Sequence, residues 1–219
     1  MQKNILLIRL VENNDWVVFV LLGAILVFII VLQYLQRESG VKDFFLQPFV
    51  DSGNIFPSWL LISLVHITLL SSLTAKFIPI LPKEIAQLNL LGYSLNNFGF
   101  ALLCFCAFYF IKFIFTFLFY SSIGQDKKWG KLYFVSSKFY FGASIVLIVA
   151  NYMAYFIPID NLMLFQICLV LFGVAAVFKI FYFFFNRNSV LPNEWYYKFL
   201  YICTLQFAPL LALWKLLFP

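Results

Sequence analysis

The chain has 219 residues, of which 64% are hydrophobic, 21% aromatic and only 11% charged, and its mean hydropathy is +0.95. Soluble domains sit nearer a quarter charged, so a water-soluble fold of this length is excluded and the bilayer is the solvent. The formal net charge is +6, but the basic residues are scattered between apolar runs and build no continuous face. That excludes nucleic acid as a partner and points to anionic lipid headgroups.

Residues 1–15 form a short extramembrane start with Lys3 and Arg9. The apolar run Trp16–Leu35 is too long for a signal-peptide core, and no small-residue cleavage site follows it. It reads as a retained first span, with Asp15 at the helix entry and Trp16 at headgroup depth. Arg37, Glu38, Lys42 and Asp43 then mark water. Residues 44–56 mix Phe44, Phe45, Leu46 and Phe49 with Gln47, Pro48 and Asp51, which suits a linker lying in the interface.

The second span covers 57–78 and carries the chain's only histidine, His66. Ser63, Ser71 and Thr74 fall on its arc, whereas Thr68 and Ser72 lie off it. Pro79 and Pro82 end the span. Residues 82–92 have a small-helix signature: Pro82 in the first turn, Ile85, Leu88 and Leu91 in register, and Gly92 as the stop. The third span, 98–120, is nearly all apolar and holds one charge, Lys112. After it, residues 121–138 read as a basic interfacial loop with Lys127, Lys128, Lys131 and Lys138, the residues expected to contact anionic lipid.

The fourth span is read as 139–157 and the fifth as 162–185. The connection between them is so short that it forces an antiparallel hairpin. Gly142, Ala150 and Ala154 on one side, with Gly173 and Ala176 on the other, predict this hairpin to be the tightest pair. The sixth span, 195–218, contains Gln206 and Pro209. Proline there removes one amide and frees the carbonyl of Leu205, a break that Thr204 and Gln206 can exploit. Broken helices of this kind line substrate sites in transporters and also occur as plain kinks.

The expected fold is therefore all-α: one membrane domain, 1–219, forming a polytopic transmembrane helical bundle of about six spans with short interfacial helices. The lysine and arginine bias places loops one, three and five in the cytoplasm, the reverse orientation being the alternative. Lys112 and Lys179 fit this, each in the cytoplasm-facing half of its helix and able to snorkel towards headgroups.

The chemistry-bearing residues are few. The four cysteines, Cys104, Cys106, Cys168 and Cys203, lie inside spans. Cys104 and Cys106 point roughly 200° apart on a helix and cannot share a metal. No metal cluster or cofactor site is expected. His66 lacks a second histidine for a haem and a deep carboxylate for a proton relay. Gly142-Ala143-Ser144 is similar to the serine motif of rhomboid-type proteases, but Ile145 stands where a second glycine belongs. His66 also precedes the serine, so Ser144 reads as a packing residue without its base.

The residues Asn186-Arg187 and then YYKFLYICTLQFAPLLALWKLLF, Tyr196–Phe218, resemble the closing motif of a bacterial membrane family known as domain of unknown function 4271, found mainly in Bacteroidota. The opening Asn14–Trp16, the length and the span count are similar too. The resemblance implies a multi-pass inner-membrane protein. It also implies a glutamate in many relatives where this chain has Gln206. It implies no reaction, ligand or catalytic residue.

The leading expectation is a non-enzymatic subunit or assembly factor of an envelope complex, with a membrane-protein partner or a second copy of itself. The alternative is a small transporter or channel with a polar site between helices two and six, built from His66, Ser63, Thr74, Gln206 and Pro209. A third reading is an enzyme on an apolar lipid, which needs His66 gathered with Glu84 or Glu194.

Overall fold

The computed structural model describes residues 14–35, 40–51, 54–78, 89–90, 93–94, 96–158, 160–185, 190–192 and 194–217. Among the described residues, six helices are long and apolar enough to cross a membrane. Spans one to six are Asp15–Tyr34, Ile55–Ala75, Asn97–Ser122, Asp126–Phe156, Leu162–Phe185 and Trp195–Leu217. The protein is an all-α helical bundle of the multi-pass membrane kind.

Span four differs most from expectation. It starts at Asp126 and runs 31 residues, so the basic loop read at 121–138 is mostly helix. The turn before it is only Ile123 to Gln125, and Gly124 sits there at φ +65°, a left-handed conformation that glycine adopts without steric cost. A helix of this length is roughly 46 Å long against a hydrocarbon core of about 30 Å. Its first turns must therefore tilt or leave the core, which suits Lys127 and Lys131. The sequence pattern hid this because clustered lysines resemble a loop even where the helix continues through them.

Spans two and four form the centre of the bundle and make its most extensive helix contact. About half of each is buried inside the protein, against 11% of span five. The expected tightest pair, spans four and five, touches far less. Its small residues face elsewhere: a Cβ on Gly142 would meet the Phe45 ring at 3.4 Å, and one on Gly173 would meet nothing within 4 Å. The close approach is instead made by Ser58, Ser63, Ser71, Ser72 and Ala75 of span two, all buried. Small side chains let backbones come together where lipid supplies no hydrophobic drive between helices.

Polar side chains then stitch spans two and four along their length. Asn151 has no exposed surface, and its Nδ2 donates to the carbonyls of Leu69 at 3.0 Å and Leu147 at 2.9 Å. Tyr155 Oη donates to Ser72 O at 2.8 Å, and Lys76 Nζ donates to Ala154 O. Val17, Leu21, Ala24 and Phe28 of span one pack on this pair. Two smaller cores close the ends. Tyr120, Phe134, Phe183 and Tyr201 centre one, and Ile67, Phe100, Cys104 and Leu217 centre the other.

The interfacial segment after span one is a short helix, Val41–Leu46, and a 3-10 turn, Phe49–Asp51. Phe44 is buried against Phe141, ring centroids 5.1 Å apart. Lys138 Nζ donates to Phe45 O at 2.9 Å and Gln47 O at 2.5 Å, so this lysine holds carbonyls that end the short helix. The helix expected at 82–92 lies largely outside the described residues. The described part departs from it: Asn89–Leu90 and Tyr93–Ser94 pair as antiparallel strands β1 and β2.

Candidate functional site

The site is a cavity of about 30 Å³ to which five spans contribute. Span two brings Trp59. Span three brings Tyr109, Lys112, Phe113 and Thr116. Span four brings Leu132, Tyr133, Ser136 and Tyr140. Lys179 and Phe183 come from span five, Tyr201 and Gln206 from span six. Two lysines meet there, and among the described residues no carboxylate lines the space.

Span six reaches the cavity through a departure from α geometry. Residues Tyr201–Phe207 form a π turn between the α segments Trp195–Leu200 and Ala208–Leu217. The cause is Pro209, which lacks an amide and whose ring would clash with the Leu205 carbonyl in a regular helix. Widening the turn relieves that clash. It also changes which side chains meet. Residues five apart stand roughly 140° apart on an α-helix, yet Gln206 Nε2 donates to Tyr201 Oη at 3.1 Å. The wider π repeat brings them to one side. Thr204 Oγ1 satisfies Leu200 O instead, at 2.7 Å.

Gln206 Oε1 then accepts from Lys112 Nζ at 2.7 Å. Lys179 Nζ donates to Tyr140 Oη at 3.1 Å and stands 4.8 Å from the centroid of the same ring. Both lysines are half-buried. The expectation that they snorkel to headgroups is corrected here: each ammonium faces the interior cavity and is held by a neutral acceptor. Aromatic faces make that tenable. Lys112 lies over Phe108, and Lys179 lies over Phe139 and Phe183 as well, and desolvated cation–π contacts are worth about 2 kcal/mol or more.

His66 is buried and stacks on Tyr140, ring centroids 4.9 Å apart at 27°. It borders the site through that ring and through Tyr109, whose centroid lies 6.2 Å away. Its Nδ1 lies 3.2 Å from Ser144 Oγ, so Ser144 does have an imidazole beside it, which sequence order concealed. Ser144 has no exposed surface and does not line the cavity. Thr74 bonds its own helix at Leu70 O. Ser63 Oγ is buried without a partner among the described residues. The structure therefore does not gather His66, Ser63 and Thr74 with Gln206 and Pro209. Gln206 is in the cavity, Pro209 shapes the turn that presents it, and the other three belong to the span two interior.

The remaining candidates are quickly placed. Glu84 lies outside the described residues, and Glu194 is exposed at the head of span six. The four cysteines are free thiols, and no group that could hold a metal occurs among the described residues. Of the lysines read as lipid contacts, Lys138 is buried on backbone carbonyls and Lys128 Nζ donates to Leu191 O at 2.8 Å. Lys127 is exposed and Lys131 half-buried. Sequence reasoning passed over Lys112 and Lys179 as site residues. The signal was there: both sit off-centre, at comparable depth, in spans that run the same way.

Fold and site together define a multi-pass helical membrane protein with a cationic polar cavity within its bundle. A family model described as Domain of unknown function (DUF4271) matches residues 16–217, and the chain belongs to that family. No curated protein and no solved structure matches it.

Proposed function

We propose that the protein is a non-enzymatic inner-membrane protein that takes an anionic solute into its bundle, in the class of small carriers and channels. The observation behind this is the cavity shared by Lys112 and Lys179, whose other polar residues bring hydroxyls, one amide and the Trp59 indole. Intramembrane ionisable residues mark solute pathways by default, and two cations without a carboxylate select negative charge. The π turn before Pro209 supplies the broken helix on which such sites are built. Burial of Ser144 argues against a nucleophile reached by substrate. Loops one, three and five face the cytoplasm in this reading, with Lys127 and Lys131 at anionic headgroups. Anion flux into proteoliposomes tests it. Replacing Lys112 and Lys179 with Gln should abolish the flux, and unchanged flux in the double variant overturns the proposal.

A second reading is a subunit or assembly factor of an envelope complex. Span five favours it: only 11% is buried and Gly173 meets nothing, leaving a small-residue face for another helix. Purification in mild detergent that returns only the monomer would count against it.

A further inference from the structure

We propose that Lys112 and Lys179 together bind one dehydrated monovalent anion of halide size in the cavity between spans three, four, five and six. This rests on reading the cavity as the solute site.

Charge comes first. Each ammonium has three N–H donors. Among the described residues Lys112 donates to Gln206 Oε1 and Lys179 to Tyr140 Oη. Both acceptors are neutral, so the positive charge stays uncompensated. Both lysines line one small space, and in a poorly polarisable interior repulsion between two ammonium groups is weakly screened. An anion that accepts from both turns that repulsion into two charge-assisted bonds.

Size comes next. A cavity of roughly 10–15 Å³ already holds one water. The space here is about 30 Å³. It admits a halide, little larger than water. Two more donors are placed for it. The hydroxyls of Thr116 and Ser136 belong to residues only 3% and 6% exposed, and both line the space. Trp59 forms part of the wall, which gives the site an optical reporter.

The test uses full-length protein in detergent. Bromide, a heavy-atom quencher of tryptophan, is titrated against gluconate at constant ionic strength. The site predicts a saturable quenching component. It should vanish in Trp59→Phe, and chloride should compete for it. In Lys112→Gln and Lys179→Gln it should weaken about tenfold or more, and Lys112→Arg should retain most of it. Purely collisional quenching in the folded wild type overturns the proposal, whatever the variants do. So does a saturable phase that survives Trp59→Phe or both glutamine changes. Halide binding without flux in proteoliposomes would support this site while removing the carrier reading. Anion flux without saturable halide quenching would do the reverse.

Discussion

Lys112 Nζ and Gln206 Oε1 lie 2.7 Å apart, joining span three to span six at the π turn that Pro209 imposes. The amide's other end donates to Tyr201 Oη, so one neutral side chain fixes a cation and a phenol at once. Neutrality matters here. A glutamine orients the ammonium while leaving its charge available to a ligand.

The change Gln206→Glu tests that statement with no change in size. The carboxylate would form an ion pair with Lys112 at the same distance, and it would lose the donor to Tyr201. Half the positive charge of the cavity would be neutralised. Bromide affinity should fall about tenfold or more, as expected for one charge-assisted bond replaced by repulsion. Thermal unfolding in detergent should show the fold retained. Wild-type bromide affinity in this variant would mean that the lysines do not hold the anion.

Lys138 makes a different use of an ammonium. It closes carbonyls at the end of the short helix Val41–Leu46, with Phe44 and Phe45 packed on Phe141 beside it. Lys138→Met keeps the stem and removes both bonds. Leaving buried acceptors unsatisfied costs about 1–3 kcal/mol. The unfolding temperature should drop. A variant as stable as wild type would show these carbonyls to be satisfied by water.

The six spans were legible because apolar runs of this length have one physical outcome in a chain so poor in charge. Span four was legible only in its second half, since Lys127, Lys128 and Lys131 obscured a helix that Gly124 starts cleanly. The pairing of helices could not be read from small residues alone. Glycine reports that a neighbour can come close, and not which neighbour: at Gly142 it is Phe45, and at Gly173 none. The site was half legible. Gln206 and Pro209 stood out as polar and helix-breaking, but the π turn that swings Gln206 beneath Tyr201 is a consequence of geometry beyond a fixed periodicity. Lys112 and Lys179 looked like snorkelling lysines, because the acceptors that hold them inward, Gln206 and Tyr140, come from other spans.

His66 and Ser144 offer a pairwise measurement. Their contact of 3.2 Å joins spans two and four in the buried interior. Interhelical hydrogen bonds in membranes average about 0.6 kcal/mol, with a maximum near 1.7. His66→Phe preserves the stack on Tyr140 and removes the ring nitrogens, while Ser144→Ala removes the hydroxyl. A double-mutant cycle on unfolding in detergent should give a coupling of about 0.5–1.5 kcal/mol. Anion flux should be unchanged in Ser144→Ala, because that residue does not line the cavity. Loss of flux in that variant, at full stability, would bring Ser144 into the functional site.

Gly142 and Gly173 separate folding from assembly. A leucine at 142 must displace the Phe45 ring that lies 3.4 Å from where its Cβ would be. Such overpacking costs about 1–3 kcal/mol, and the unfolding temperature should fall accordingly. A leucine at 173 meets open space within the protein. In a helix interior it should be neutral or stabilising by up to about 1 kcal/mol. If span five is a face for another helix, Gly173→Leu should disrupt the complex recovered in mild detergent, because close backbone approach in lipid depends on small residues. An intact complex with leucine at 173 would move the partner surface away from this face, and Gly142→Leu provides the destabilised control against which the loss of assembly is judged.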